Sequence, residues 1–293
     1  MSSIGLRPQS GAHPVQTIPK EVVLRAAAPS PPAGPGPLAA KPDPVKARAG
    51  AAAVPRTIAM DGPAGAGKST IGRLLADRLG YLFFDTGAMY RAVTWAVLQQ
   101  RVPLEDEARL ADLSERLVIA ITLPAPAEAA DGRAYTVRVE GQDVTWAIRQ
   151  PDVEAQVSAV SAHAGVRAAL VRQQRRVAEQ VGRPGGPPGI VMAGRDIGTV
   201  VLPDAELKIY LDASPPERAR RRVAELAARG TPLPFPDVLV EIERRDRLDS
   251  TRAASPLRRA PDAVLVHTDG LSIAQALAVV LQIVAGPHGD RMH

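Results

Sequence analysis

Residues 62–69 constrain the fold of this sequence more than any other segment. They read GPAGAGKS, which fits the P-loop pattern of two glycines separated by four residues and followed by lysine and then serine or threonine. The apolar run 57–60 precedes the loop, and after it Ile71, Leu75 and Leu79 recur at helical spacing. A strand, a glycine-rich turn and a helix in this order indicate a protein that binds a nucleoside triphosphate.

Each residue type in this loop has a chemical reason. Glycines let backbone N–H groups turn toward a polyphosphate, and the helix N-terminus adds a favourable dipole. We expect Lys68 to reach the β- and γ-phosphates, and Ser69 to give a hydroxyl ligand to Mg²⁺, the expected cofactor. Only five of the 36 basic residues are lysines, and Lys68 and Lys208 are the two that follow residue 55. We assign triphosphate binding to Gly62, Pro63, Ala64, Gly65, Ala66, Gly67, Lys68, Ser69 and Thr70.

Short apolar segments alternate with amphipathic helical patterns after residue 55. This alternation indicates an α/β fold with a parallel sheet covered by helices on both faces. Residues 1–55 hold eleven of the 28 prolines and lack sustained apolar periodicity, so we predict a disordered extension there and one domain over 56–293. A helix is expected over 272–284. The predicted strands are 57–60, 81–85, 189–193, 207–212 and 263–268.

Two stretches interrupt this alternation. Segments 117–123 and 135–143 both have strand patterns, which indicates a small antiparallel insertion. Residues 214–235 are arginine-rich and irregular, as expected of a mobile flap over a site or of an ordinary surface excursion. Within this stretch, the three arginines 220–222 lie on a predicted helix. The sequence supports two interpretations of them: a solvent-exposed helix face, or part of a lid that closes on the triphosphate.

The composition excludes several classes of function. The chain has no cysteine, which removes thiol catalysis, zinc–thiolate sites and disulfides, and it has no run of eighteen apolar residues. Residues 1–55 carry +4 of the net charge of +5, and the nine aromatic residues of the chain do not alternate with a basic stripe. We therefore expect a cytoplasmic protein that binds neither nucleic acid nor membrane, with a monomer as the simplest state.

Arginines outside the P-loop indicate a second anion site. Arg91, Arg195 and the segment 245–252 lie in stretches punctuated by glycine or aspartate rather than on plain helix faces. Guanidinium groups suit a phosphomonoester dianion, and a transferring phosphoryl group needs its charge neutralised. A surface ion pair is the alternative for any single arginine, but three such segments favour phosphoryl transfer to a second phosphate.

Four motifs together resemble bacterial cytidylate kinase, a nucleoside monophosphate kinase of the P-loop class. They come in the order and at the spacing of that family, and the resemblance covers about 56–285. It implies a five-stranded parallel sheet, a lid at about 213–236 and an enlarged monophosphate-binding insert at about 117–170 that contains the antiparallel sheet. It also implies transfer of the ATP γ-phosphoryl group to CMP or dCMP, in pyrimidine nucleotide metabolism. The motifs are 61–70 (DGPAGAGKST), 85–91 (DTGAMYR), 194–199 (GRDIGT) and 245–252 (RDRLDSTR).

The resemblance also implies which residues bind the cytidine part of the acceptor. Ser158, Arg167 and Asp196 would contact the cytosine, and Asp249 with Arg245 would meet the ribose hydroxyls. The first three side chains offer the mixture of donors and acceptors that cytosine requires.

The same resemblance places the acceptor phosphate among arginines. Arg91, Arg195 and Arg252 would hold it, with Thr86 beside the nucleotide, and the three arginines with Lys68 would be the catalytic groups. We expect direct in-line transfer, which needs neither a covalent intermediate nor a strong base, because the attacking phosphate is already anionic.

Two other functions fit part of this pattern. A kinase of the same fold could phosphorylate UMP, AMP or a non-nucleotide alcohol, and the placement of Ser158, Arg167 and Asp196 separates these acceptors. A nucleotide-binding regulatory protein that uses the basic extension is the alternative from another class. The near-neutral charge of 56–293 and the second set of arginines oppose that alternative.

Overall fold

A computed structural model describes residues 54–122, 124–228 and 230–286. Nearly all of the predicted extension lies outside the described residues, as does the segment 287–293. In chain order the strands and helices are β1 (Thr57–Asp61), α1 (Lys68–Leu79), β2 (Leu82–Asp85), α2 (Thr86–Gln99), α3 (Glu107–Arg116), β3 (Ile119–Thr122), α4 (Pro126–Ala129), β4 (Thr136–Val139), β5 (Gln142–Asp143), α5 (Pro151–Ala162), α6 (Ala164–Ala178), β6 (Ile190–Ala193), β7 (Leu207–Asp212), α7 (Pro215–Ala228), α8 (Phe235–Thr251), β8 (Val264–His267) and α9 (Ile273–Ala285).

Five strands form one parallel sheet in the order β2-β6-β1-β7-β8. This confirms the predicted sheet, and each strand begins and ends within one residue of its predicted bounds. Asp85 pairs with Ala193, and Asp61 pairs with Tyr210, so the carboxyl ends of the central strands meet at one edge. Ligands bind at that edge in open α/β sheets, and the P-loop leaves β1 there.

The apolar sequences of the strands explain the core. Ile58, Ala59 and Met60 of β1 are fully buried, because helices cover both faces of the sheet. On one face, Leu75 of α1 and Val280 of α9 pack against the strands. On the other face, α2 and the helices of the insertion form a second cluster with β2 and β6. Fully burying each large apolar side chain contributes about 1.5–3 kcal/mol to folding.

The predicted antiparallel insertion is present as a three-stranded sheet in the order β3-β4-β5. Val137 and Val139 of β4 are buried, as the period-two pattern requires. The prediction of one continuous strand over 135–143 is wrong. Glu140 and Gly141 have φ angles of 49° and 81°, so the chain turns there and β5 pairs back onto β4.

The stretch predicted to be irregular, 214–235, is mostly helical, because α7 occupies most of it and α8 begins at its end. Both helices have proline in the first turn, Pro215 in α7 and Pro236 in α8, where the missing N–H would have no intrahelical partner. The two helices pack on each other through Ala219, Val238 and Ile242. Over the part of the chain that the structure describes, none of the helices combines the length and hydropathy of a membrane span.

Candidate active site

The P-loop connects the end of β1 to the start of α1 and depends on its glycines. Gly62 has a φ of 143°, and a Cβ there would lie 1.9 Å from the carbonyl oxygen of Leu211 on β7. Gly67 is left-handed, with a φ of 94°, and caps α1. No other residue type fits both positions, since the first is blocked by backbone and both φ angles disfavour a side chain. The loop is therefore held against the sheet edge with its N–H groups at the start of a helix, which suits an anion.

Lys68 is buried at the first turn of α1. Its Nζ donates a hydrogen bond to the carbonyl oxygen of Pro63 at 2.6 Å, across the mouth of the loop. Burial, and then the neighbouring guanidinium of Arg195, lower the pKa of Lys68 well below its usual value, although Asp85 and Asp61 act in the other direction. The ammonium is short of compensating negative charge, so a bound anion would stabilise it.

Ser69 contacts a carboxylate that the sequence analysis did not assign to the site. The Ser69 hydroxyl donates to Asp85 Oδ2 at 2.8 Å, and Asp85 Oδ1 accepts the N–H of Gly87 at 2.9 Å at the start of α2. A hydroxyl and a carboxylate are the hard oxygen ligands that Mg²⁺ prefers. The described residues hold no cluster of three acidic, histidine or cysteine ligands, and Mg²⁺ in kinases is bound by one or two protein oxygens together with phosphates. The signal for Asp85 was its place at the carboxyl end of β2, inside the motif 85–91.

Thr86, the next residue, faces the backbone. Its hydroxyl donates to the carbonyl oxygen of Ala193 at 2.9 Å, and a Cβ on Gly194 would lie 2.6 Å from the Thr86 oxygen. The contact ties the start of α2 to the end of β6, immediately before Arg195.

The three arginines expected to hold the acceptor phosphate lie on different elements of the same region. Arg195 follows β6, and its Nε donates to Asp249 Oδ2 at 2.9 Å, while Arg252 lies 3.6 Å from the other oxygen of Asp249. Arg91 on α2 lies 3.9 Å from a carboxylate oxygen of Glu154. Arg195, Asp249 and Arg252 thus form a contiguous group.

Several guanidinium N–H groups in this region are buried without a hydrogen-bond partner. They are Arg91 Nε, Arg245 Nε and Arg252 Nη2. Burial, and then Arg195 and Arg91, lower the pKa of Arg245 to about 10, and burial followed by Arg167 lowers the pKa of Arg252. Buried donors usually have acceptors, and crowded cations need anions. The unpartnered donors and crowded cations of this region therefore favour binding of an anion with several oxygen atoms.

The residues expected to read the base are only partly brought together. Arg167 donates to Asp196 Oδ2 at 2.5 Å, and both residues are about 3% exposed. The Arg167 guanidinium also donates to the carbonyl oxygen of Ser161 at 3.1 Å and lies over the ring of Tyr90 at 5.2 Å. Ser158, on α5, lines a cavity of about 360 Å³ that Arg252 also lines.

Asp61 joins the P-loop strand to the segment that carries Arg195 and Asp196. Its two carboxylate oxygens accept the backbone N–H groups of Ile197 and Gly198, at 2.8 and 2.7 Å. Burial raises the pKa of Asp61 to about 6 even though these two hydrogen bonds favour the charged form. Asp61 is the first residue of the motif 61–70, but its sequence position alone predicts no role for it.

Asp61→Asn is expected to change how stability depends on pH. Because the folded-state pKa is raised, the folded protein binds the proton more tightly than the unfolded chain, and the contribution of Asp61 falls as pH rises from about 4 to 6. Relative to Asp61→Asn, wild-type stability should therefore fall by roughly 2–3 kcal/mol over that interval. Urea unfolding at several pH values measures the difference, with Asp77→Asn, an exposed change on α1, as the control. A difference that stays constant or grows with pH would contradict the burial of a titrating Asp61.

The predicted flap contacts the P-loop through a residue that sequence reasoning missed. Arg218 on α7 is 2% exposed and donates to the carbonyl oxygens of Ala213 and Ala64, the second of which lies in the loop. It also pairs with Asp246 of α8 at 2.5 Å. Arg218 therefore fixes α7 and α8 against the triphosphate loop.

The arginines of the run 220–222 have different partners in the structure, and whether they close on triphosphate stays a prediction. Arg220 is exposed and pairs with Glu217 on its own helix. Arg222 reaches across to Glu154 of α5 at 3.0 Å, so this part of the run joins the flap to the insertion.

Comparisons with known sequences place this chain among cytidylate kinases. The family model described as cytidylate kinase matches residues 58–286. The chain is 50% identical over 228 residues to a cytidylate kinase from Chloroflexus aggregans. The aligned region covers 78% of this chain and 93% of that protein. It is 49% identical over 231 residues to a cytidylate kinase from Roseiflexus castenholzii, covering 79% and 94%. A cytidylate kinase from Herpetosiphon aurantiacus is 47% identical over 230 residues, covering 78% and 94%.

Proposed function

Since this chain belongs to the cytidylate kinase family, we propose that it transfers the γ-phosphoryl group of ATP to CMP or dCMP, giving ADP with CDP or dCDP. The enzyme is a nucleoside monophosphate kinase. The acceptor range beyond CMP and the residue roles below are our proposals.

The structural observation that supports this proposal most strongly is a second candidate anion site near the P-loop. The P-loop supplies Lys68, whose pKa is lowered partly by Arg195 of the second site, so the two sites lie within electrostatic reach. The second site contains buried guanidinium donors without acceptors, on Arg91, Arg245 and Arg252. A triphosphate in the first site and a monophosphate in the second would be placed for transfer between them.

We assign the triphosphate to residues 62–70 and to Lys68 in particular. The Ser69 hydroxyl and the Asp85 carboxylate, 2.8 Å apart, would hold Mg²⁺. When bound, the metal neutralises charge on the β- and γ-phosphate oxygens. Lys68 is already positioned in the loop, and bound phosphates would stabilise its ammonium, which then places a positive charge against the same oxygens.

We assign the acceptor phosphate to Arg91, Arg195 and Arg252. Asp249 pairs with Arg195 and lies 3.6 Å from Arg252, whose buried Nη2 has no hydrogen-bond partner among the described residues and is left for the phosphate. Together with Lys68 these groups surround the transferring phosphoryl with positive charge, which is the main requirement of a loose transition state. The CMP phosphate attacks directly, and no side chain needs to remove a proton first.

We assign the cytosine to Ser158, Arg167 and Asp196, and the ribose to Asp249 with Arg245. Arg167 and Asp196 are fixed by each other, so their outward donors and acceptors have defined directions. Such preorganised polar groups discriminate strongly, because a base with the wrong pattern leaves them unpaired.

The remaining features follow from this assignment. We propose that the insert at about 117–170 closes over the acceptor and that the lid at about 213–236 closes over ATP, which excludes water as a competing acceptor. We propose a cytoplasmic monomer that uses neither nucleic acid nor membrane, with residues 1–55 dispensable for turnover.

The experiment that tests the function follows product formation from ATP, Mg²⁺ and CMP by anion-exchange chromatography. We expect ADP and CDP in equal amounts. ADP accompanied by inorganic phosphate, with no CDP, would make the protein an ATPase and end the proposal.

A further inference from the structure

Tyr135 links the insertion to the P-loop and has no part in the roles assigned above. It lies just before β4 and is 8% exposed, with its ring in the core of the insertion. Its hydroxyl lies 3.2 Å from Asp85 Oδ2, the same oxygen that accepts the Ser69 hydroxyl. One carboxylate oxygen is thus shared between the insertion and the triphosphate loop.

Arg149 determines the direction of the Tyr135 hydrogen. Its Nη2 donates to the Tyr135 hydroxyl oxygen at 2.9 Å, and its guanidinium lies 5.4 Å from the centre of the Tyr135 ring. Because the oxygen accepts from Arg149, the single hydroxyl hydrogen is left to point at Asp85. Burial, followed by Asp85, raises the pKa of Tyr135, so the hydroxyl remains a donor at neutral pH.

The hydrogen bonds of Arg149, Tyr135 and Ser69 converge on Asp85: Arg149 donates to Tyr135, and the hydroxyls of Tyr135 and Ser69 both donate to the carboxylate. Asp85 Oδ1 is held by the N–H of Gly87, and Oδ2 accepts two hydroxyls. If the Ser69 hydroxyl turns toward another ligand, Tyr135 is the side-chain donor that still holds that oxygen in place. Groups that orient a metal-binding carboxylate affect metal affinity without touching the metal.

We propose that Tyr135 is a positioning residue for the metal-binding side of the active site, acting through the Asp85 carboxylate, with Arg149 directing its hydroxyl. This inference rests on the proposed function for the identity of the metal and the triphosphate. The insertion then has a second function, since an element expected to bind the acceptor nucleotide also orients a carboxylate on the ATP side of the active site.

The test compares Tyr135→Phe with Tyr81→Phe, which removes a phenol hydroxyl before β2, at the opposite end of that strand from Asp85. Both use the full chain. In the presence of a non-hydrolysable ATP analogue, we expect Tyr135→Phe to weaken Mn²⁺ binding by about tenfold, as loss of a ligand-orienting partner does. We expect kcat to fall by about tenfold, with the KM for CMP changed by less than about twofold. Tyr81→Phe should alter none of the three.

A double-mutant cycle with Asp85→Asn separates positioning from a general structural role. If Tyr135 acts through Asp85, Tyr135→Phe should change Mn²⁺ binding by less than about twofold in the Asp85→Asn background. An equal loss in both backgrounds, or unchanged Mn²⁺ binding in Tyr135→Phe, would overturn the proposal.

If Tyr135→Phe fails to fold, Arg149→Ala tests the same series of hydrogen bonds. It keeps the phenol and removes the donor that directs it, so Mn²⁺ binding should weaken by about threefold, and unchanged binding would overturn the proposal. Mn²⁺ binding does not involve the acceptor. Absence of CDP formation in the wild type would therefore count against the proposed function and leave this comparison standing.

Discussion

Lys68→Ala is expected to lower kcat by about three orders of magnitude while the fold is retained. Preorganised groups that meet developing charge contribute about 10²–10³-fold each, and a buried ammonium beside the transferring phosphate belongs at the upper end. The fold should survive because alanine suits the first turn of α1. The lysine is also held in an environment that lowers its pKa, so its removal relieves a buried charge rather than breaking an ion pair.

The measurement for Lys68→Ala is steady-state turnover with CMP, alongside thermal unfolding. Arg73→Ala is the matched control, since it removes a cation from the same helix where the side chain is 40% exposed and pairs with Asp77. The control should keep wild-type kcat within about twofold, because exposed helix pairs contribute little. A Lys68→Ala variant that keeps more than about a tenth of wild-type activity would contradict the role assigned to the P-loop lysine.

Asp196→Ala is expected to lower both stability and base discrimination. It leaves the guanidinium of Arg167 unpaired at 3% exposure, and breaking a buried ion pair from one side costs about 3–5 kcal/mol. Discrimination between CMP and UMP should weaken by about tenfold or more, because a buried polar contact to the base is lost. The KM for ATP should change much less, because Asp196 pairs with Arg167 and, among the described residues, accepts no hydrogen bond from the P-loop.

Two companion variants separate these effects. Asp196→Asn keeps an acceptor for Arg167, so it should lose less stability while still weakening the preference for CMP. Asp246→Ala disturbs another buried arginine, Arg218, which contacts the P-loop, so it should raise the KM for ATP and leave base preference unchanged. Urea unfolding and kcat/KM for CMP and UMP measure all three variants. If Asp196→Ala keeps the wild-type ratio of CMP to UMP turnover, Asp196 does not read the base.

The sheet and the P-loop could be predicted because their signals are local. Strands buried on both faces read as short apolar runs, as in Ile58, Ala59 and Met60, and glycine-rich turns separate them from helices. The P-loop motif specifies backbone geometry directly, and Gly62 lies where a side chain would meet the backbone of β7.

The errors arose where a local signal has two meanings. The arginine content of 214–235 and the prolines at 232, 234 and 236 predict irregular structure, yet proline in the first turn can begin a helix, as Pro236 does in α8. The segment 135–139 alternates apolar and polar residues, and the turn that follows at Glu140 and Gly141 lacks the asparagine–glycine signature of a tight hairpin.

The parts of the site that escaped prediction depend on contacts between distant residues. Asp85 meets Ser69 because β2 ends beside the loop, and Arg218 meets Ala64 because α7 folds back across it, over a separation of 154 residues. Neither contact leaves a pattern in the sequence near either residue. The pairing of Arg167 with Asp196 was likewise invisible, although each had been assigned to the base separately.

The most direct test of the central claim is ADP formation by the wild type with ATP, Mg²⁺ and each of CMP, dCMP, UMP, AMP and GMP in parallel reactions. We expect strong turnover with CMP and dCMP alone, because another base would leave the proposed base-reading groups of Arg167 and Asp196 unpaired. Turnover spread evenly over the five acceptors would contradict the assignment of the base-reading residues. No turnover with any acceptor would contradict the assignment of the chain as a nucleoside monophosphate kinase.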